Sequence, residues 1–559
     1  FFHGIITFCG NIASLASPIT YELSMIIDGN LLPFGTVLRS RFCIVGSGIG
    51  GSAVAQKLIE AGHDLLLVEA GDIGPTTTGP ATVTGEYIGR PFRMVATRCI
   101  ELGGTSNLWH GLCAPLDDID FQPRPWIDNS GWPLRRSDLD PFYDEAAEVL
   151  GIPGASHWDL SRTGASIHER LKDFDFDGSI LENKLFQFVK PPLRWKSKLL
   201  EMAKSENFRC LVNAPALELI VDPEGAKIDH LIVGSGAGTF QIFAETFIVC
   251  AGALETPRLL LNSKNRLPTG VGNAHDLVGK YLLDHPNGHF CKLRLKRSIK
   301  APLYSDLQIR SQGSDFHLLT GLQLRPERQR QHRLPNNHVY IRPSLSPARI
   351  DDDLLLSFMG ARGARDLTLR QFKAILTHRD ILYRILIMRL GLQPTYVYGD
   401  LFFMAEQLPN RDSCVRLSGS ERDRYGYAVA QIDWQLSDAD FSAFENYANL
   451  VLHQGLNAGD YSLARVDELS AWRNSVASAA HHVGTARMAE KASRGVVNPD
   501  LQVFGMDNLF ICDGSVFPTG GSVNPALTIT ALGIRLGAHL NRTHHPIAVQ
   551  VTAPYAVTE

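Results

Sequence analysis

The sequence predicts an α/β fold (α+β overall): a parallel-sheet unit interleaved with a second domain built on an antiparallel sheet with helices. Three observations predict it. Arg41 to Gly71 reads strand, glycine turn, helix, strand. Thr246 to Leu261 repeats strand, small-residue turn, helix, and between Asp400 and Asn457 two strand-like runs lead into a helix.

In the first unit, Phe42 to Val45 form an apolar strand, Ser52 to Ala61 keep a helical apolar period, and Leu65 to Val68 form a second buried strand. Between strand and helix lies GSGIGG, with Gly46, Gly48 and Gly51 in GxGxxG spacing around Ile49 and Gly50. Gly46 permits a tight turn, Gly48 lets backbone approach a pyrophosphate, and Gly51 lets helix and strand pack closely. The helix N-terminus then offers unpaired N–H groups and a positive dipole end to phosphates. Glu69, followed by Ala70, closes the second strand where an acid accepts hydrogen bonds from a ribose and repels a 2′-phosphate. This is a Rossmann-like dinucleotide site, and the motif does not separate FAD from NAD.

Composition sets the bounds. The 559 residues are 44% hydrophobic and 20% charged, with a net charge of −4, which argues for neither nucleic acid nor an acidic tail. Nine cysteines without a CxxC pair suggest neither a zinc site nor a disulfide framework, and no metal is expected. Cys43 and Cys250 lie in apolar strands as buried thiols, which fits a reducing compartment; a soluble, cytoplasmic protein without membrane contact is expected. Residues 1–21 carry no Lys, Arg, Asp or Glu and lack the basic stretch of a signal peptide. Met25 opens a more conventional start, so residues 1–24 are expected to lie outside the functional domain, within an N-terminal extension of 1–35.

Residues 72–100 read as a Gly/Thr/Pro-rich loop, followed by Gly103-Gly104-Thr105-Ser106-Asn107-Leu108-Trp109-His110, where small residues let backbone approach a flat ligand. Residues 112–150 end in a helix that Ser137 or Asp138 can cap. From Phe208 strands return and lead to the Thr246–Cys250 strand, the Ala251-Gly252 turn and a helix from Glu255 to Leu261. Asp366 to Leu390 is amphipathic and basic, a solvated helix face or a membrane or partner contact. Asp400 to Leu417 and Ala428 to Trp434 suggest an antiparallel sheet, with a helix over Asp438–Asn457.

The last informative stretch is Ser478 to Leu540. It holds His481-His482-Val483-Gly484-Thr485, a strand at Phe510–Cys512 ending on Asp513, and Asn524-Pro525 before a helix. A His and an Asn on two turns suit proton abstraction from an alcohol, which needs one neutral base and one orienting group. Asn524 also has the chemistry of a helix cap. His110 and His285 read as structural, the latter in a DHP turn.

These elements together resemble the glucose–methanol–choline (GMC) oxidoreductases: GSGIGG, GGTSN, APLDDIDF, CAGALETPRLLL, DLVGKYLLDHP, AEQLPN, HHVGTARM, DNLFICDGSVFP and NPALT run in family order from about residue 32 to 542. The resemblance implies an FAD-dependent oxidation of an alcohol to a carbonyl, with His481 as catalytic base and Asn524 at the second active-site position. It implies FAD contacts from Gly46, Gly48, Ile49, Gly50, Gly51, Glu69 and Ala70, from Gly104, Thr105, Ser106, Asn107 and Trp109, from Ala216, Ala251 and Gly252, and from Asp513, Gly514, Asn524 and Pro525. His482, Trp109 and His110 are candidate pocket residues. Family members with covalent FAD carry a His where this chain has Leu108, so noncovalent FAD is expected. Trp109 resembles the pyranose-oxidase-like branch and favours a sugar, glycoside, polyol or cyclic alcohol, with oxygen or another carrier as electron acceptor.

The domain division that follows assigns 36–115, 205–290 and 475–545 to FAD binding. It assigns 116–204 and 291–474 to a substrate or cap domain, and 546–559 to a tail. A redox-neutral lyase or decarboxylase on the same fold, an NAD-dependent dehydrogenase and a non-catalytic FAD-binding module are the competing readings.

Overall fold

The computed structural model describes residues 25–74, 85–91, 97–154, 158, 176–236, 238–300, 307–311, 314–344, 395–456, 461–466, 473 and 476–544. The basic segment Asp366–Leu390, residues 1–24 and the 546–559 tail lie outside them.

The nucleotide-type unit is an eight-stranded sheet of Ile26–Asp28 (β1), Val37–Val45 (β2), Leu65–Val68 (β3), Phe208–Val212 (β6), Ala216–Val221 (β7), Ile228–Ser235 (β8), Gly238–Val249 (β9) and Leu509–Ile511 (β19). The order is β1-β6-β3-β2-β9-β8-β7, with β19 beside β9. Pairing from β1 through β9, and of β19 with β9, is parallel; β7 and β8 add an antiparallel edge. Phe42 to Val45 and Leu65 to Val68 are buried without alternation, as strands covered on both faces must be. Helices Ile49–Glu60 (α1) and Ala526–Thr543 (α8) pack together. Glycines allow the contact: a Cβ at Gly533 would lie 2.7 Å from that of Ala53. The sheet takes its edge strand β1 from within the 1–35 segment.

A second eight-stranded sheet comprises Leu181–Phe188 (β5), Pro286–Lys300 (β10), Leu307–Ser311 (β11), Ser314–Leu324 (β12), His338–Ser344 (β13), Thr395–Met404 (β14), Tyr461–Val466 (β17) and Ala477–Ser478 (β18), all antiparallel. Its faces alternate along each strand. Val339, Ile341, Leu401 and Phe403 bury against helix Asp438–Leu450 (α7), while Phe186, Tyr340 and Phe402 join the core of the nucleotide unit. A third sheet joins Gly85–Tyr87 (β4), Cys414–Arg422 (β15) and Ala428–Asp433 (β16).

Several boundaries differ from the sequence reading. Asp400–Leu417 is two strands in two sheets, because Ala405 to Ser413 turns between them without the usual glycine signal. The 72–100 segment contributes β4. The helix expected over Asp438–Asn457 ends at Leu450 and continues as a π turn over Val451–Gly455. Helix Arg136–Val149 (α3) has Arg135 at its N-cap, and Asp138 at the third position accepts from the Arg135 N–H at 2.8 Å. Among the described residues no helix is long and apolar enough to cross a membrane.

Candidate active site

Glycine geometry shapes a cradle at the start of α1. Gly46 has φ +100°, and a Cβ there would lie 2.5 Å from the Cys250 carbonyl oxygen. At Gly51 a Cβ would lie 2.0 Å from the Gly46 oxygen, and at Gly50 2.0 Å from the Cys512 oxygen, so both serve close packing. Gly48 differs: a Cβ there meets nothing within 4 Å, so its α-carbon borders open space at the N-cap of α1. Gly104 faces it from the other side, where a Cβ would come within 2.9 Å of the Gly48 α-carbon. Gly252, with φ +81°, is likewise open at the start of helix Gly252–Asn262 (α5).

Two buried carboxylates brace this cradle. Glu69 accepts from the Ser47 N–H at 3.1 Å and the Gly71 N–H at 2.9 Å, and from the Ser47 hydroxyl. Burial pushes its carboxyl up. Asp513 accepts from the Gly252 N–H at 2.8 Å, the Thr256 hydroxyl at 2.6 Å and the Ser515 N–H at 2.7 Å; burial raises it too. A Cβ on Gly514 would press on the His482 carbonyl oxygen at 2.9 Å, so the Asp513 turn lies directly under the His481 turn.

The loop from Gly103 is held from behind. The Ser106 hydroxyl donates to the Gly103 oxygen (2.6 Å) and accepts from the Trp195 N–H (3.1 Å); Asn107 Nδ2 donates to the Leu102 oxygen (2.9 Å). Trp109 Nε1 donates to the Leu193 oxygen at 2.7 Å, and Arg194 donates to the Ser106 and Trp109 carbonyls at 2.6 and 2.7 Å. Thr105, Leu108 and His110 are exposed. Ala216 opens β7 and pairs with Val233; Ala70 follows Glu69 at the end of β3. Arg194 and Ser47 are absent from the sequence reading, since their partners lie 85 to 88 and 22 residues away.

His481 and Asn524 meet, 43 residues apart in sequence: Asn524 Nδ2 lies 3.0 Å from His481 Nε2. Helix α8 starts after Pro525 without a side-chain cap, so Asn524 is not spent on capping. The turn that aims His481 puts Ala480 at φ +62°, a strained position for a residue with a Cβ. Asp284 fixes that turn, accepting from the His481 N–H at 3.0 Å and from the Ser478 hydroxyl. Gly484 lets the chain pass beneath Tyr281, whose main-chain carbonyl oxygen would be 2.2 Å from a Cβ there.

The sequence reading makes His285 structural; its ring instead belongs to the site. His285 Nδ1 lies 2.9 Å from His481 Nδ1, and His285 Nε2 lies 3.1 Å from the Gly520 carbonyl. These contacts fix the protons. The Gly520 carbonyl only accepts, so His285 Nε2 carries a hydrogen. A neutral His285 then accepts at Nδ1, so His481 donates from Nδ1 and keeps its lone pair on Nε2. Burial drives His285 below the usual histidine range and His481 well below it, with His285, His482, His338 and His110 adding to the effect on His481. Nε2 of His481 is therefore a neutral acceptor beside an amide donor. His482 stands behind it, its Nε2 3.5 Å from Asp284.

A buried charge network supports the turn that carries Asn524. Arg124 and Glu406 form a two-pronged pair at 2.6 and 2.5 Å, Asn336 Nδ2 bridges Asp117 and Asp120 at 3.0 Å each, and Lys184 pairs with Asp117 at 2.5 Å. Burial, then Glu406 and Asp117, push Asp120 up to about 7. The Thr519 hydroxyl donates to the main-chain carbonyl oxygen of Asp120 at 3.2 Å.

Comparison with known proteins gives concordant matches. A family model described as GMC oxidoreductase matches residues 409–533, and one described as FAD dependent oxidoreductase matches 41–271. The chain is 30% identical to a C-glycoside 3-oxidase of Microbacterium trichothecenolyticum, over 83% of this chain and 78% of the relative. It is 23% identical to a 2-methyl-1,2-propanediol dehydrogenase of Mycolicibacterium austroafricanum, over 91% and 97%. The solved structure of a pyridoxine 4-oxidase from Mesorbium loti shares the fold, with TM-score 0.54 and 18% identity over 90% of this chain and 100% of that one.

Proposed function

The chain belongs to the GMC oxidoreductases, FAD-dependent enzymes, and from that premise we propose that it oxidises a sugar, glycoside, polyol or cyclic alcohol to a carbonyl with His481 as base. The observation that carries the base assignment is the proton order along Gly520, His285 and His481, which leaves the lone pair on His481 Nε2 beside Asn524.

The cradle fits the cofactor. Open space at Gly48 and Gly252, the unpaired N–H groups of the first turn of α1, and Glu69 beyond them suit a pyrophosphate and a ribose. Leu108 offers no nucleophile for a covalent link, so we propose noncovalent FAD. Bound FAD supplies the two-electron acceptor for the hydride that leaves the carbinol carbon. The residues do the rest. His481 Nε2 takes the hydroxyl proton, Asn524 Nδ2 donates to the alcohol oxygen as negative charge grows on it, and His285 holds the imidazole through Nδ1. A C-glycoside oxidase among the relatives supports a sugar-like substrate.

Anaerobic mixing of the yellow enzyme with alcohols tests the reading. Sugars or polyols are expected to bleach the flavin; a flavin that no alcohol bleaches contradicts it and favours redox-neutral chemistry or a binding module.

The lowered proton affinity of His481 sets the pH profile. Protonation of Nε2 removes the base, so activity is lost as pH falls through the lowered pKa. The rate of flavin reduction should stay level through the ordinary histidine range near about 6.5 and fall only at more acid pH. A midpoint at or above that range contradicts the assignment.

A further inference from the structure

Resting on that reading of the site, we infer that Tyr340 and His338 on β13 recognise the non-reacting hydroxyls of a polyhydroxylated ring. Residues 338, 340 and 342 of β13 share one face of the antiparallel sheet, the face that packs on the nucleotide unit. Tyr340 pairs across strands with Phe402, and the Phe186 ring lies 5.8 Å from that of Tyr340 and 4.9 Å from that of His338. Both polar rings flank Gly321, where a Cβ would lie 3.4 Å from each.

This wall reaches the chemistry. His338 Nδ1 lies 2.9 Å from the Ser522 hydroxyl, two residues before Asn524, and His338 is close enough to His481 to lower its proton affinity. Two polar atoms of this wall are unsatisfied. His338 Nε2 and Tyr340 Oη are buried without a hydrogen-bond partner among the described residues, on side chains of residues 1% and 4% exposed. Buried polar atoms in that state are costly, and a ligand hydroxyl relieves the cost. A plain aliphatic alcohol would leave both polar atoms unpaired.

The Arg342 guanidinium lies 3.4 Å over the Phe402 ring and marks the rival substrate, an alcohol bearing a carboxylate.

Tyr340→Phe removes one hydroxyl and keeps the ring. Its kcat/KM for 1,5-anhydroglucitol should fall about tenfold relative to cyclohexanol, carried by KM rather than kcat. Calorimetric titration of the dithionite-reduced enzyme, which cannot oxidise the ligand, should show a matching loss of affinity for the polyol. An unchanged polyol-to-cyclohexanol ratio overturns the inference while leaving the oxidation intact. So does a wild-type preference for a carboxylate-bearing alcohol. A wild-type flavin that no alcohol reduces overturns the functional reading itself, and the inference with it.

Discussion

Replacing His481 with alanine is expected to slow anaerobic reduction of the flavin by alcohol roughly 10²–10⁴-fold while the yellow cofactor stays bound. The size follows from what a positioned base contributes, and the retention from where the residue sits. His481 is on the turn after β18, whereas the residues that fit the cofactor's phosphates and ribose are Gly48, the first turn of α1 and Glu69. His285 does not stand at the position of the base, since its Nδ1 meets His481 at Nδ1, across the ring from the Nε2 that faces Asn524. Stopped-flow absorbance measures the step directly. A variant that reduces its flavin at the wild-type rate removes His481 from the role.

The second large effect is on stability. Glu406→Ala is expected to cost about 3–5 kcal/mol, because it leaves the Arg124 guanidinium buried and unpaired. Both side chains are 1% exposed, so water cannot replace the lost carboxylate without opening the core. Glu406 also accepts from the Asn336 N–H at 2.8 Å, and Asn336 bridges Asp117 and Asp120 beneath the turn that leads to Asn524. The substitution should therefore lower the urea midpoint of unfolding. An unfolding free energy within about 1 kcal/mol of wild type contradicts this role of the network.

The nucleotide unit was legible in the sequence because its signals are local. Three glycines at fixed offsets, a strand ending on Glu69 and a helix between them fall within Arg41–Gly71. The strand at Leu65–Val68 matches to the residue, and helix α1 differs from its expected start by three residues, since its first turn is built of the glycines that also read as a loop. His481 and Asn524, which the structure brings together, stand in motifs that the sequence displays. His285 was not legible in this way, because a histidine in a DHP turn looks the same whether its ring packs in a core or meets another ring 196 residues away. The same limit hid Arg194, whose value lies in two carbonyls 85 and 88 residues distant. The face of the antiparallel sheet that turns toward the nucleotide unit was equally unreadable. Alternation along β13 separates Tyr340 from Val339 and Ile341, but only tertiary packing says which set meets the nucleotide unit.

The claim on which the mechanism turns is the proton order of one ring, and nitrogen-15 NMR of the histidine-labelled enzyme reads it at neutral pH. His481 is expected to be neutral, with its hydrogen on Nδ1 and an unprotonated Nε2. A spectrum that puts the hydrogen on Nε2, or on both nitrogens, contradicts it.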